Sequence, residues 1–261
     1  MKKRPSWKIM VTVVYALVLR EVQARIGSHR LGLFWMLFEP MAHIAVLMFV
    51  FTYIRLRSIP GMEFPVFLLT GLVPFFMMRN IALGLMGAVD ANRALFVYKQ
   101  ITPFDTFIAR LIVNFVLMSC VYAILMFVLG FWFGYDISID RPLYWMWAIF
   151  VGITFSFGLG LIFCVVVEAV PELAMIIRLL FLPLYFLSGV IIPSWMLPQR
   201  FIEWALWNPY LHVMDSIRIG VFKHYPLTYG IDLNYAVKWA VVTLGLGMLL
   251  FKLRERELLA Q

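Results

Sequence analysis

The feature that most limits the fold of this chain is a series of long apolar runs interrupted by one broken apolar segment. The broken segment extends from Leu187 to Gly230, and Pro193, Pro198 and Pro209 divide it into pieces too short to cross a bilayer. A helix needs roughly 20 apolar residues to span about 30 Å of hydrocarbon. Within the membrane, the backbone of an interrupted helix must be buried in other protein or must line a cavity. The broken segment is therefore a candidate for part of a transport pathway.

The composition is typical of polytopic membrane proteins. Of 261 residues, 64% are hydrophobic and 14% are charged, whereas soluble domains are about half apolar and a quarter charged. The net charge of +8 does not indicate a nucleic-acid partner, because most Lys and Arg residues lie at the ends of apolar runs, where topology and lipid headgroups account for them. Cys120 and Cys164 lie within apolar runs, so neither a disulfide framework nor a metal site is predicted.

Six membrane-spanning helices are predicted, in a single transmembrane domain that covers residues 1–261. The predicted spans are Leu33–Ile54, Phe64–Ala88, Thr106–Phe133, Leu143–Val167, Leu173–Ile192 and Tyr235–Leu253. Residues 1–32 and 254–261 form the terminal regions, and residues 193–234 separate the fifth span from the sixth. Basic residues are concentrated in both terminal regions, and this bias places both termini in the cytoplasm. The predicted fold class is therefore all-α integral membrane.

The stretch Trp7–Arg30 is predicted to be an amphipathic helix that lies in the membrane interface before the first span. Its first half is apolar, and its second half carries most of the charges. Glu21 and Arg25 have the i,i+4 spacing of a favourable helical ion pair. Such a helix can bind anionic lipid headgroups, or it can serve only as a topology anchor. Both interpretations stay open.

Two internal loops are candidates for contacts with a partner protein. The loop Asp90–Asp105 mixes polar groups with the apolar and aromatic residues Leu95, Phe96, Val97 and Tyr98. A short helix that exposes aromatic residues can dock into a groove of a partner. Alternatively, it packs beneath its own bundle. The second internal turn, Glu168–Leu173, is short and acidic.

Ionisable residues within the predicted spans are functional candidates, because burying them in lipid is costly. Glu39 and His43 share one face of the first span, and Arg79 lies at a comparable depth in the second. We predict that Glu39 pairs with Arg79 or with an interfacial arginine, mainly for structure. Arg110 is expected to extend to the interface, and Asn114 to hydrogen-bond between helices.

The chain lacks motifs for chemistry of its own. No Gly is followed by Lys, so there is no phosphate-binding Walker loop, and HExxH, GxSxG and CxxC are also absent from the sequence. We therefore expect a transport subunit and not an enzyme. Two other classes stay open: a polytopic membrane enzyme that acts on lipid-linked sugars, and an ion-driven secondary transporter.

The order of the motifs resembles the permease subunit of type-2 ABC exporters, and in particular the capsular polysaccharide export permeases of Gram-negative bacteria. The resemblance is carried by Leu19–His43, Phe64–Phe76, Ala91–Arg110 and the broken segment, which begins LSGVIIPSW. It implies a second copy of the chain and two separate ATPase subunits, which bind ATP and Mg, so that this chain holds no cofactor. It also implies that residues 193–234 form a re-entrant pair of half-helices capping the external mouth.

The resemblance further implies a substrate and its route. The substrate would be a lipid-linked, acidic capsular polysaccharide that crosses the bacterial inner membrane. A periplasmic co-polymerase or adaptor and an outer-membrane export protein would receive it, and membrane lipids would surround the permease. An O-antigen or teichoic-acid exporter is the alternative within the same superfamily.

Four groups of residues are expected to carry this function. Cations at the substrate entrance would bind the anionic lipid–sugar terminus; they are Arg25, His29, Arg30 and Lys99. Aromatic residues would stack on sugar rings along the pathway, although membrane interfaces also concentrate aromatics without any ligand; they are Phe34, Trp35, Phe38 and Tyr185. The external gate would contain Trp195, Trp204 and Trp207. Coupling to the ATPase would involve Asn92, Leu95, Phe96, Tyr98, Lys99, Glu168 and Glu172.

Overall fold

The computed structural model describes residues 6–27, 32–54, 62–98 and 100–260, and these residues form a bundle of α-helices. The helices are α1 Ser6–Ile26, α2 Gly32–Phe49, α3 Phe64–Met86, α4 Ala88–Asn92, α5 Pro103–Phe133, α6 Pro142–Ala169, α7 Leu173–Leu187, α8 Gln199–Ala205, α9 Pro209–Val221 and α10 Leu233–Ala260. A π-helical turn at Val50–Ile54 extends α2, and 3₁₀ turns occupy Arg93–Leu95 and Ser194–Met196.

Local sequence signals determine where several of these helices begin and end. At the start of α5, the Thr102 hydroxyl accepts a hydrogen bond from the Asp105 N–H, and the Asp105 carboxylate accepts one from the Thr102 N–H. This reciprocal capping box satisfies donors that would otherwise lack partners. Pro103 and Pro142 each occupy the first residue of a helix, a position where a missing N–H has no cost.

Five helical segments of the described residues are long and apolar enough to cross a membrane: Phe34–Thr52, Phe64–Met86, Pro103–Phe133, Pro142–Ala169 and Leu233–Arg254. They match the predicted first to fourth and sixth spans to within a few residues.

The predicted fifth span, Leu173–Ile192, differs from the observed helix. α7 ends at Leu187 after 15 residues, which is about 22 Å and short of the hydrocarbon thickness. The chain leaves the helix at Gly189, whose φ is +68°, and the carbonyls of Gly189 and Val190 bond a side chain instead of a helical N–H. Crossing of the membrane by α7 stays a prediction.

The core of the bundle surrounds α3. α5 and α6 pack against α3, and α9 and α10 pack against α6. Over the apolar window of α3, 78% of the residues are buried, whereas the figure for α2 is 6%. α1 packs against α5 and α2 and leaves Trp7, Met10 and Tyr15 exposed. The bundle therefore has a dense centre and an open flank along α2. The end of the bundle at which α4 lies is called the α4 end below, and the end at which α9 lies is called the α9 end.

Candidate functional site

A polar cavity of about 510 Å³ lies between the C-terminal part of α1 and helices α2, α3 and α5. Apolar side chains, among them Met36, Phe76 and Leu117, form part of its wall. Its polar lining residues are Arg25, Glu39, His43, Arg79 and Asn80. The cavity thus collects the charged residues of α2 and α3 that the sequence singled out.

The charges of this cavity lie well inside the helices. Glu39 follows Gly32, the first residue of α2, by seven residues, and Arg79 precedes Met86, the last residue of α3, by seven residues. Both are therefore about 10 Å along their helices from the α4 end. A direct Glu39–Arg79 pair is absent from the ion pairs of the described residues.

Arg79 is the unusual member of the polar cavity. It is half-buried, and the described residues provide no ion pair or hydrogen bond to its guanidinium. Charged side chains inside a membrane protein normally pair with other groups or face a water-filled pathway. An unpaired arginine at the wall of a cavity is consistent with the second arrangement.

An ion cluster joins α1 to the bundle beside the polar cavity. Glu21 accepts from Arg25 at 3.3 Å and from Arg110 at 3.3 Å, and Arg110 also donates to the Gly84 carbonyl at 2.5 Å. Arg110 thus pairs with a carboxylate of α1, and its extension to the membrane interface stays a prediction. Asn114 hydrogen-bonds between helices as predicted, accepting from Arg25 at 3.0 Å.

Of the predicted substrate-entrance residues, Arg25 lies at the polar cavity. His29, Arg30 and Lys99 lie outside the described residues. Their role at an entrance stays a prediction.

The predicted pathway aromatics occupy two places. Phe34, Trp35 and Phe38 are exposed on α2, and the rings of Phe34 and Phe38 stack at a centroid distance of 5.0 Å. Tyr185 is buried and stacks on the ring of Phe76, 5.9 Å away. It therefore supports the wall of the polar cavity through Phe76.

The predicted gate tryptophans also separate into two kinds. Trp204 and Trp207, around the turn between α8 and α9, are 81% and 78% exposed. Trp195 packs inward, with ring centroids 4.5 Å from Tyr225 and 6.5 Å from Phe67. Only the first two present their side chains to the surroundings at the α9 end.

Sequence reasoning missed the most constrained part of the broken segment, which is the buried helix α9. Arg218 on α9 is fully buried and donates to the Gly189 carbonyl at 2.5 Å and the Val190 carbonyl at 2.6 Å. Its guanidinium lies 3.7 Å from the ring centroid of Phe67. Gly71 makes room for it, since a Cβ there would be 2.3 Å from Arg218 Nη2. These five residues are called the Arg218 clamp.

A carboxylate next to the Arg218 clamp is also buried and hydrogen-bonded. Asp215 Oδ1 accepts from Ser194 at 2.9 Å and from the Tyr225 hydroxyl at 2.5 Å. Ser194 in turn contacts Thr228 at 2.7 Å. Two opposite charges three residues apart within an otherwise apolar stretch were the available sequence signal for this network.

At the α4 end, an ion pair connects the two predicted coupling segments. Arg93, in the 3₁₀ turn after α4, bonds Glu168 at the end of α6 at 2.7 Å and Asp90 at 3.5 Å. Glu172 is exposed in the turn before α7. The two segments therefore present one joined surface.

The remaining predicted coupling residues differ in exposure. Tyr98 is exposed, while Leu95 and Phe96 are half-buried. Asn92 is buried and accepts from Arg20 of α1 at 2.5 Å, so its side chain faces α1 and not the surface.

The five long apolar helices define a multi-pass α-helical membrane protein, and three of them, α2, α3 and α5, line the polar cavity. Residues 12–222 match the family described as ABC-2 type transporter. The chain belongs to the ABC-2 type transporter family. This confirms the identification made from the motif order, and the match extends through the broken segment as far as α9.

Individual relatives match over nearly the whole chain. Polysialic acid transport protein KpsM of Escherichia coli is 37% identical over 259 residues, covering 98% of each chain. Capsule polysaccharide export inner-membrane protein BexB of Haemophilus influenzae is 27% identical over 254 residues, covering 95% of this chain and 93% of BexB. O-antigen export system permease protein RfbA of Myxococcus xanthus is 25% identical over 252 residues, covering 94% and 93%.

Proposed function

We propose that this chain is the permease subunit of an ATP-driven ABC exporter that moves a lipid-linked, acidic capsular polysaccharide across the bacterial inner membrane. The identity of 37% to a protein named for polysialic acid transport, against 25% to one named for O-antigen export, favours a capsule substrate. Polysialic acid is an acidic polymer, so an acidic substrate is the natural inference for this chain. Its membrane is the inner one in this proposal, because BexB, to which it is similar, is an inner-membrane protein by name.

The observation that carries the proposal is the polar cavity with Arg79, to which the described part of the chain provides no partner. Arg25 and Arg79 place two guanidinium groups at one cavity, and guanidinium binds carboxylate and phosphate oxygens in a bidentate manner. In a low-dielectric surrounding, this positive field attracts an anionic lipid–sugar terminus. Glu39 lines the same cavity, and its charge limits the attraction, so that the anion can leave again.

A second copy of the chain completes the pathway in this proposal. The flank along α2 is almost uncovered, and α7 exposes large apolar residues such as Leu179, Leu182 and Phe186. Two copies facing one another across α2 and α7 enclose a route between their polar cavities. The exposed rings of α2 then lie along that route, where sugars can stack on them.

ATP hydrolysis is assigned to two separate ATPase subunits that bind ATP and Mg and dock at the α4 end. The Arg93–Glu168 ion pair joins the two coupling segments, so a movement of the ATPase at one segment is passed to the other. In this arrangement both termini are cytoplasmic. The exposed Trp204 and Trp207 at the α9 end then face the periplasmic adaptor and, beyond it, the outer-membrane export protein.

Export by an Arg79→Gln variant tests this proposal. Loss of one charge-assisted hydrogen bond to the substrate lowers export about ten-fold or more, while the ATPase subunit still co-purifies with the chain. The matched control is Arg200→Gln, which changes an exposed arginine on α8 and is expected to export normally. The measurement is surface polysaccharide in cells that carry this chain as their only capsule permease.

Three results would contradict parts of the proposal. Full export by the Arg79→Gln variant would remove the polar cavity from the pathway. Equal export of an acidic polymer and a neutral polymer on the same lipid anchor would refute the acidic substrate. Failure of any ATPase subunit to co-purify with the wild-type chain would refute the exporter assignment itself.

A further inference from the structure

A second cavity, of about 460 Å³, lies between α3, α5 and α6 and has an almost entirely apolar lining. Phe115, Met146 and Phe150 on its rim are 42%, 59% and 58% exposed, so the cavity opens to the surroundings of the bundle. Its inner wall is formed by Val73, Met77, Met118 and Ile153. In a membrane-spanning bundle, an opening of this kind faces hydrocarbon and not water.

Two polar atoms at this apolar cavity lack partners. The hydroxyl of Tyr122 and Nε1 of Trp145 are buried, and the described residues provide neither with a hydrogen-bond partner. Both side chains line the cavity, and their rings stack at a centroid distance of 6.0 Å. Buried Tyr hydroxyl and Trp N–H groups usually find an acceptor, and the indole N–H can only donate. The two atoms therefore indicate an acceptor that the described residues do not supply.

The position of these donors matches the depth of a lipid ester. Trp145 is the fourth residue of α6, about 5 Å from the helix end, and Trp prefers the interface where glycerol esters lie. Ile153, on the same wall, is eight residues further along α6, about 12 Å deeper. One end of the apolar cavity thus offers hydrogen-bond donors, and the remaining lining is apolar apart from Ser119.

We propose that this apolar cavity binds a membrane phospholipid. One acyl chain lies against Met146, Ile149 and Phe150, and its ester carbonyl accepts from Trp145 Nε1 and from the Tyr122 hydroxyl. A single water molecule is a poorer occupant, because it would satisfy the two donors but leave most of an almost entirely apolar cavity of about 460 Å³ unfilled. This site is separate from the polar cavity proposed for the substrate terminus.

The test compares two synthetic phospholipids on the purified full-length chain after its native lipid has been removed. The first probe is palmitoyl-oleoyl phosphatidylethanolamine, and the second is its diether analogue, which lacks ester carbonyls. We expect the ester lipid to bind the wild-type chain about ten-fold more tightly. In the Trp145→Phe/Tyr122→Phe double variant, the rings remain, the donors are gone, and the two lipids should bind equally. Native mass spectrometry measures the bound fraction.

Two further variants make the result decisive. Ala123→Leu fills the apolar cavity, whose lining includes Ala123, and should exclude both lipids. Trp132→Phe changes a tryptophan of α5 that is 71% exposed, and this control should bind like the wild-type chain. Equal binding of the ester and diether lipids by the wild-type chain would overturn the proposal, and so would undiminished binding by the Ala123→Leu variant.

Discussion

Replacing Arg218 by Met tests whether the Arg218 clamp fastens the broken segment to α3. Met retains much of the apolar stem and packing, but it leaves the Gly189 and Val190 carbonyls without their donor. Each of the two hydrogen bonds to the guanidinium is worth about 1.5–3 kcal/mol, and the contact with Phe67 adds about 2 kcal/mol when desolvated. Because the Met side chain recovers part of this, we expect a loss of about 3–5 kcal/mol in the free energy of unfolding.

The two cysteines of the chain provide the assay. Cys164 on α6 is 2% exposed, and Cys120 is exposed. In a Cys120→Ala background, Cys164 is the only thiol, since the sequence contains two cysteines. Its reaction with a thiol-specific fluorophore during heating in detergent reports opening of the bundle.

The expected loss corresponds to a lowering of the midpoint by about 6–20 °C, at 2–4 °C per kcal/mol for a chain of this size. Arg218→Lys retains the charge but not the planar fork that reaches both carbonyls, and its midpoint should be intermediate. Lys223→Met changes an exposed cation of the same segment and should shift the midpoint by less than about 2 °C. If the Arg218→Met and Lys223→Met variants melt together, the clamp does not stabilise the fold.

Three further predictions concern other contacts. Gly71→Ala places a Cβ 2.3 Å from Arg218 Nη2 and should cost about 1–3 kcal/mol by overpacking in the same thiol assay; an unchanged midpoint would contradict the close approach. Arg93→Glu and Glu168→Arg should each weaken co-purification of the ATPase subunit, and the double reversal should restore it, since the ion pair is re-formed with opposite polarity; failure of this rescue would mean that the pair does not shape the docking surface. Glu21→Gln should lower stability by about 1–3 kcal/mol, because two arginines lose their carboxylate, and a neutral effect would show that the Glu21 ion pairs do not hold α1 on the bundle.

The sequence predicted the helices whose signals are local. Pro103 and Pro142 mark helix starts, and Gly134, with φ of +67° after α5, marks a helix end. An apolar run of more than about 20 residues is long enough to cross the membrane as a helix, so it predicts a membrane-spanning helix. The charged residues of the polar cavity were also found, because a carboxylate or guanidinium in an apolar run is conspicuous.

The rest depends on contacts between distant residues. Glu21 meets Arg110 across 89 positions, and Arg218 meets carbonyls 28 and 29 positions away. No periodicity within one helix encodes such a pair. The end of α7 at Leu187 has local signals in Gly189 and in Pro193, which has no N–H for the Gly189 carbonyl, but the donor that satisfies this carbonyl, Arg218, lies 29 positions away.

The enclosure of α9 also constrains how the protein can be made. Residues 210–218 are all buried, and α9 packs against α6, α3 and α10. During synthesis α10 leaves the ribosome after α9, so α9 and its buried arginine are not fully packed until α10 has been inserted. A chain that terminates before α10 would leave α9 and Arg218 without one of their packing partners. Cellular quality control would recognise such a chain as incompletely folded. Insertion of α10 is thus the step that completes the packing around α9.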